Sequence, residues 1–175
     1  KDTVHSFFAN RANNYQKHIS YAAKADQSCS RLSPYLSYGM LSMRALQQQC
    51  VQQMQQLQPG TRKVALQAFF SRLRWHCHFM QKLEDDPVIE MANMHPGFDG
   101  MRELDFSREK FAAFCAGQTG YPLIDAAIRC LLSTGWLHFR GRAMLVAFAS
   151  YHLWLHWRPT ALFLAQCFVD YEPGI

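Results

Sequence analysis

The chain has 175 residues, of which 49% are hydrophobic, 14% aromatic and 18% charged, with a formal net charge of +5. That composition excludes a disordered or fibrous chain, and the length suffices for one domain with a real core. The positive balance suits a polyanion such as nucleic acid, but no long Lys/Arg run occurs, so a basic surface has to be assembled by the fold.

In chain order, the first clear element is an amphipathic stripe. Met43, Leu46, Cys50, Met54 and Leu57 recur at helical steps, with glutamines filling the opposite face until Pro59-Gly60 stops the run. The stripe predicts a solvated helix face here and not a Gln-rich aggregation segment. Thr61 is placed to cap a helix to about Leu83, and Asp85-Asp86-Pro87 ends it. Residues 88–104 hold Asn, Pro, Gly and Asp with little periodicity, which predicts a long loop with short turns, a kind of segment that is often functional. Ser107 caps a short helix through Cys115, and Pro122 opens another that ends at Thr134-Gly135. A long apolar helix is expected over 137–157, and a last helix from Pro159 through Val169. No alternating strand or hairpin signal stands out, so the fold class is all-α: a single bundle of irregularly crossed helices.

The six cysteines are scattered with no Cys-x-x-Cys pair, as expected of thiols in a reducing compartment. Residues 1–5 carry no apolar leader core. The most apolar segment, 143–157, is interrupted by Ser150, His152 and His156 and is shorter than the ~18–20 residues of a membrane span. A soluble, cytoplasmic protein without a membrane partner is the expectation. Both ends break off inside a pattern, so the chain reads as a fragment of a longer protein.

Four constellations invite chemistry. His76 with His78, and His152 with His156 at helical spacing, raise a zinc site, but no third ligand is placed, so no metal is expected. No Gly-x-Gly-x-x-Gly and no Gly-Lys-Ser/Thr occurs, which removes the common nucleotide loops. Ser28-Cys29-Ser30-Arg31-Leu32-Ser33 suits a diphosphate through hydroxyl donors and one guanidinium, although Ser-rich loops that merely cap a helix are commoner. Trp154 and Trp157 are near neighbours that would hop electrons in a redox protein and pack as ordinary aromatics in any other. Arg140 and Arg142, two apart where a helix starts, suit an anionic ligand.

Ser30-Arg31-Leu32-Ser33-Pro34-Tyr35-Leu36-Ser37-Tyr38-Gly39, Thr119-Gly120-Tyr121-Pro122, Gly135-Trp136-Leu137-His138-Phe139-Arg140-Gly141-Arg142 and Phe168-Val169-Asp170-Tyr171-Glu172-Pro173 occur in this order. In wording and spacing the set resembles the flavin-binding helical domain of the DNA photolyase and cryptochrome family, over nearly the whole chain. The resemblance implies FAD held in a bent form in a central cavity. Carried over by position, it sets Tyr15 and the loop Cys29, Ser30, Arg31, Leu32 and Ser33 at the FAD phosphates. Phe69 and Trp136 line the cavity, and Arg142 pairs with Asp170 beside the isoalloxazine. Glu172 stands where the family often has Asp. Trp157 matches the middle tryptophan of the electron-transfer chain, and Trp75 an aromatic that packs on a DNA lesion.

Departures accompany it. Arg72 replaces an acidic lesion contact, His76 an arginine, Phe69 a tryptophan, Phe139 an asparagine and Ala143 a methionine. Arg72, Trp75, His76, Phe139 and Arg140 form the expected DNA-facing set, changed more than the flavin set. The resemblance puts a residue facing flavin N5 and the surface tryptophan of the electron chain beyond Ile175, and an α/β antenna domain before Lys1. It implies light-driven electron transfer from reduced FAD to a pyrimidine dimer in DNA. A flavin light sensor without repair and a flavin-free helical interaction module are the alternatives.

Overall fold

The computed structural model describes residues 2–174. Among them there are helices and turns but no strand. The chain forms two compact units, Lys1–Glu90 with Glu172–Ile175, and Met91–Tyr171. The boundary falls at the Asn- and Gly-containing loop, which lacks the apolar periodicity needed to join either core.

In the first unit, α1 (Asp2–Ala9), α2 (Tyr15–His18), α3 (Ala22–Ser28) and α4 (Ser33–Ser37) are short, and α5 (Met43–Gln56) and α6 (Thr61–Asp85) are long. Ser42 Oγ accepts from the Ala45 N–H and caps α5. The α5 stripe points inward: Leu46 and Cys50 are fully buried, and Met43, Met54 and Leu57 pack around them. Thr61 is the first residue of α6 and not its cap; the N-cap is Gly60, in extended backbone. Phe7, Phe8, Tyr15 and Phe69 form the aromatic centre, with the Phe7 and Phe69 rings 4.6 Å apart. Each such fully buried ring contributes about 1.5–3 kcal/mol by leaving water.

In the second unit, α7 (Arg108–Ala116), α8 (Pro122–Thr134), α9 (Phe139–Ala147) and α10 (Trp157–Cys167) surround Phe114, Ile128, Leu131, Leu145 and Leu155. Ser107 Oγ accepts from the Lys110 N–H, and Pro122 occupies the first turn of α8. Gly135 closes α8 at φ 67°, a left-handed conformation that glycine adopts without strain.

The long apolar helix expected over 137–157 is broken. After α9 the chain widens into a π turn at Phe148–His152 and leaves the helix until Trp157. The Leu153 N–H donates to Phe148 O, and the Leu155 N–H to Ala149 O. Trp154 is left-handed at φ 59°. No Gly or Pro marks this break, and a tertiary contact meets it. The Arg102 guanidinium lies 4.1 Å from the Trp154 ring centre and donates to Leu155 O at 3.5 Å. His152 and His156 therefore do not share a helix face: His152 stacks on Phe148, and His156 pairs with Glu103. Pro159 lies inside the first turn of α10, which starts two residues earlier.

Candidate flavin site

The Ser28–Ser33 loop is shaped from behind by Arg11, which the sequence leaves unremarked. Its guanidinium donates to the backbone oxygens of Cys29 (2.6 Å), Ser30 (3.1 Å) and Thr3 (2.8 Å) and to Ser6 Oγ (3.0 Å). Burial and the nearby Arg31 lower its pKa. Four oxygens on one fork hold the loop in place. Arg31 has φ 57°, and its side chain pairs with Asp26 at 2.7 Å. The Ser28 hydroxyl meets His18 Nδ1 at 2.7 Å, Ser30 Oγ accepts weakly from the Leu32 N–H, and Ser33 starts α4. Cys29 and Leu32 are buried.

Tyr15 and Phe69 are core residues of this unit, with ring centres 5.5 Å apart in an edge-on arrangement. Burial raises the Tyr15 phenol pKa. On α6, the Arg72 guanidinium lies 4.8 Å from the Trp75 ring centre, and Trp75 is half exposed. His76 Nε2 meets Glu172 Oε2 at 2.8 Å, while His76 Nδ1 is buried without a hydrogen-bond partner. The structure thus joins two residues that the resemblance gives to different partners, DNA and FAD.

In the second unit, α9 and the chain after α10 set the ion pair. His138 Nδ1 accepts from the Gly141 N–H and caps α9. Arg142 in the next turn donates from Nε to Leu137 O (2.8 Å) and from Nη2 to Asp170 Oδ2 (2.6 Å), and stacks 4.2 Å from the Phe168 ring centre. The Arg142 charge is therefore held by Asp170. Arg140 and Phe139, in the same first turn, are exposed. Asp170 is placed by Gly135, whose carbonyl accepts from the Val169 N–H at 2.9 Å. Trp136 is buried, and its backbone N–H and carbonyl both meet the Thr134 hydroxyl. Trp157 donates from Nε1 to Asn93 Oδ1 at 2.6 Å.

Asp125, which carries no sequence signal of its own, has a structural role. It closes the Thr-Gly-Tyr-Pro turn by accepting from the Thr119 N–H (2.8 Å), the Thr119 hydroxyl (2.6 Å) and the Gly120 N–H (3.1 Å). The Thr119 hydroxyl, then the two backbone donors and Arg129, hold its carboxyl below the usual range. The Thr-x-x-x-x-x-Asp spacing carries this signal, but only once a turn is assumed.

The residues present are chemically suited to a flavin. Asp170 is buried, its Oδ2 satisfied by Arg142, while Oδ1 is buried with no protein donor. A buried carboxylate oxygen without a donor is costly, and an N–H from a bound ring would satisfy it. Among the described residues no group of three or more His, Cys, Asp or Glu side chains could hold a metal ion.

The all-α fold is that of a helical flavin-domain family. Residues 69–175 match the family model described as the FAD binding domain of DNA photolyase, and the chain belongs to that family. Deoxyribodipyrimidine photo-lyase of Vibrio cholerae is 31% identical over 156 residues, which is 89% of this chain and 32% of the relative. Cryptochrome DASH of Idiomarina loihiensis is 26% identical over 168 residues, 95% of this chain and 36% of that protein. Among solved structures, a class III photolyase from Agrobacterium tumefaciens superposes with a TM-score of 0.88 at 24% identity, covering 99% of this chain and 34% of that one. A Synechocystis cryptochrome gives 0.84 at 26% identity, with 99% and 35% covered. The chain thus spans about a third of the length of these relatives.

Proposed function

We propose that this chain binds FAD and serves light-driven one-electron transfer to a pyrimidine dimer in DNA. The observation that carries the reading is the Arg142–Asp170 pair, with one buried carboxylate oxygen left for a ring donor. FAD, when bound, supplies the light absorption and the electron. The protein's residues do the rest. Arg142 and Asp170 hold a fixed local charge, so little reorganisation is needed as the ring's charge changes. Ser30, Arg31 and Ser33, with Cys29, Leu32 and Tyr15, hold the phosphates, and Arg11 keeps their loop in shape. By the family pattern, Phe69, Trp136 and Glu172 are the side chains assigned to the ring. Arg72, Trp75, His76, Phe139 and Arg140 face DNA, to which the net charge of +5 also points. Trp157 supplies electrons from the protein side. The six scattered cysteines, with no Cys-x-x-Cys pair, favour a cytoplasmic place.

The test is the visible absorption of the purified protein before and after incubation with FAD, followed by illumination with a dimer-containing oligonucleotide. A flavin band with light-dependent loss of the dimer supports the reading. A folded, colourless protein that cannot be loaded with FAD sinks it and leaves the helical interaction module.

A second reading, a flavin light sensor without repair, has one observation in its favour. The Arg72 guanidinium covers a face of the Trp75 indole, the surface on which a lesion base would have to stack. A flavin band without dimer repair is its signature.

A further inference from the structure

We propose that Asn93 is a positioning residue for Trp157, holding its indole so that the ring loses an electron without losing its proton. The proposal rests on the reading that Trp157 carries electrons. It comes from three side chains in line. Trp157 Nε1–H donates to Asn93 Oδ1 at 2.6 Å, and Asn93 Nδ2 donates to Asp99 Oδ1 at 2.6 Å. Both distances are short for N–H···O bonds. The amide cannot be turned round: an indole only donates and a carboxylate only accepts, so Oδ1 faces the ring and Nδ2 the acid.

The segment that carries these groups is braced by local turns. The Asp99 N–H donates to Pro96 O, and His95 Nδ1 accepts from the Gly97 N–H. Farther along, Arg102 stacks on Trp154 and Glu103 meets His156, so the 91–106 loop is tied to the start of α10 on both sides of Asn93's contact. Arg158 reaches Met91 Sδ at 3.5 Å.

The electrostatics need this arrangement. Trp157 is the first residue of α10, where the helix dipole is positive, and Arg158 follows it. Both oppose a positive charge on the ring. The exposed Asp99 carboxylate holds the amide with Oδ1 toward the ring, and that oxygen's partial negative charge opposes them in turn. When Trp157 gives one electron to a photo-excited flavin acting as one-electron acceptor, the ring becomes a radical cation whose Nε1–H is strongly acidic. A carboxylate or water would take that proton. An amide oxygen accepts the hydrogen bond and leaves the proton where it is. One electron moves, no N–H bond breaks, and the ring can be refilled by a single electron.

Two measurements test this. In the flavin-free protein, the hydrogen-bond-sensitive indole bands in ultraviolet resonance Raman spectra should shift between wild type and Asn93→Ala, with Trp157→Phe identifying the ring. In the flavin-loaded protein, flash photolysis should show the long-wavelength band of the cation radical. Asn93→Asp, which puts a proton acceptor in the same place, should convert it to the shorter-wavelength neutral radical, and Asp99→Asn should shorten the cation's lifetime. Unshifted Raman bands in Asn93→Ala, or the same radical with the same lifetime in Asn93→Asp, overturn the proposal. A wild type that loads flavin but forms no Trp157-dependent radical overturns instead the electron-carrying reading on which it rests, whatever the Raman result.

Discussion

Asp170 gives one carboxylate oxygen to Arg142 at 2.6 Å and keeps the other buried without a donor among the described residues. The two oxygens of one side chain thus have different tasks. One neutralises a guanidinium, and the other is a hydrogen-bond acceptor with nothing from the protein to accept.

Arg142→Ala leaves a buried carboxylate unpaired. Such truncations cost about 3–5 kcal/mol, and Arg142's partial exposure puts this one at the lower end. We expect a large drop in urea midpoint and loss of bound FAD. The double variant Arg142→Leu with Asp170→Leu should recover much of the stability but none of the flavin. Equal midpoints for the single and double variants would show that the pair is solvated and not a buried unit.

Gly135→Ala should lower stability by about 2 kcal/mol or more, from left-handed backbone strain together with a clash of the new Cβ with the Val169 side chain. Since Val169 precedes Asp170, flavin occupancy should fall with it. Gly120→Ala, also at positive φ but with open space around its Cβ, should pay only the backbone term. Thermal melts of both variants check this ordering.

Asp125 gives a pH signature. Its pKa in the fold lies below the ordinary 3.8, so the unfolded chain binds the proton first as pH falls. Its contribution is fully present above the unfolded value and is lost as pH drops through the lower folded one. Asp125→Asn should flatten the acid limb of the stability–pH curve and leave the neutral and alkaline parts parallel to wild type. An unchanged acid limb would mean that other carboxylates set it.

Thiol labelling should follow burial. Burial pushes the Cys50 and Cys115 thiols up to about 11, leaving roughly one thiolate in a thousand at pH 8. Cys77 and Cys130 are exposed. With a chromogenic disulfide reagent and peptide mapping, Cys77 and Cys130 should react first, the half-buried Cys115 slowly, and Cys50 only on unfolding. Early modification of Cys50 would show that α5 opens locally.

The helices that the sequence makes legible are those specified by local physics. The Met43 to Leu57 stripe, Ser107 as a cap, Pro122 in a first turn and Gly135 at a helix end each act within a few residues, so their wording is their structure. The family motifs are legible for a related reason: Arg142 and Asp170 belong to fixed local phrases that can be matched one by one. The break after α9 was not legible. Nothing between Phe148 and Trp157 is a helix breaker, and the segment after the widened turn meets Arg102, fifty residues earlier, which stacks on Trp154. Arg11 behind the serine loop, Asn93 on Trp157, and His76 joined to Glu172 are likewise contacts between residues with no sequence periodicity in common. The sequence by itself determined the helical class, the ends of α5, α7 and α8, and the family. Only the tertiary structure decided which polar groups complete one another's hydrogen bonds, because a buried donor finds its acceptor through packing and not through spacing along the chain.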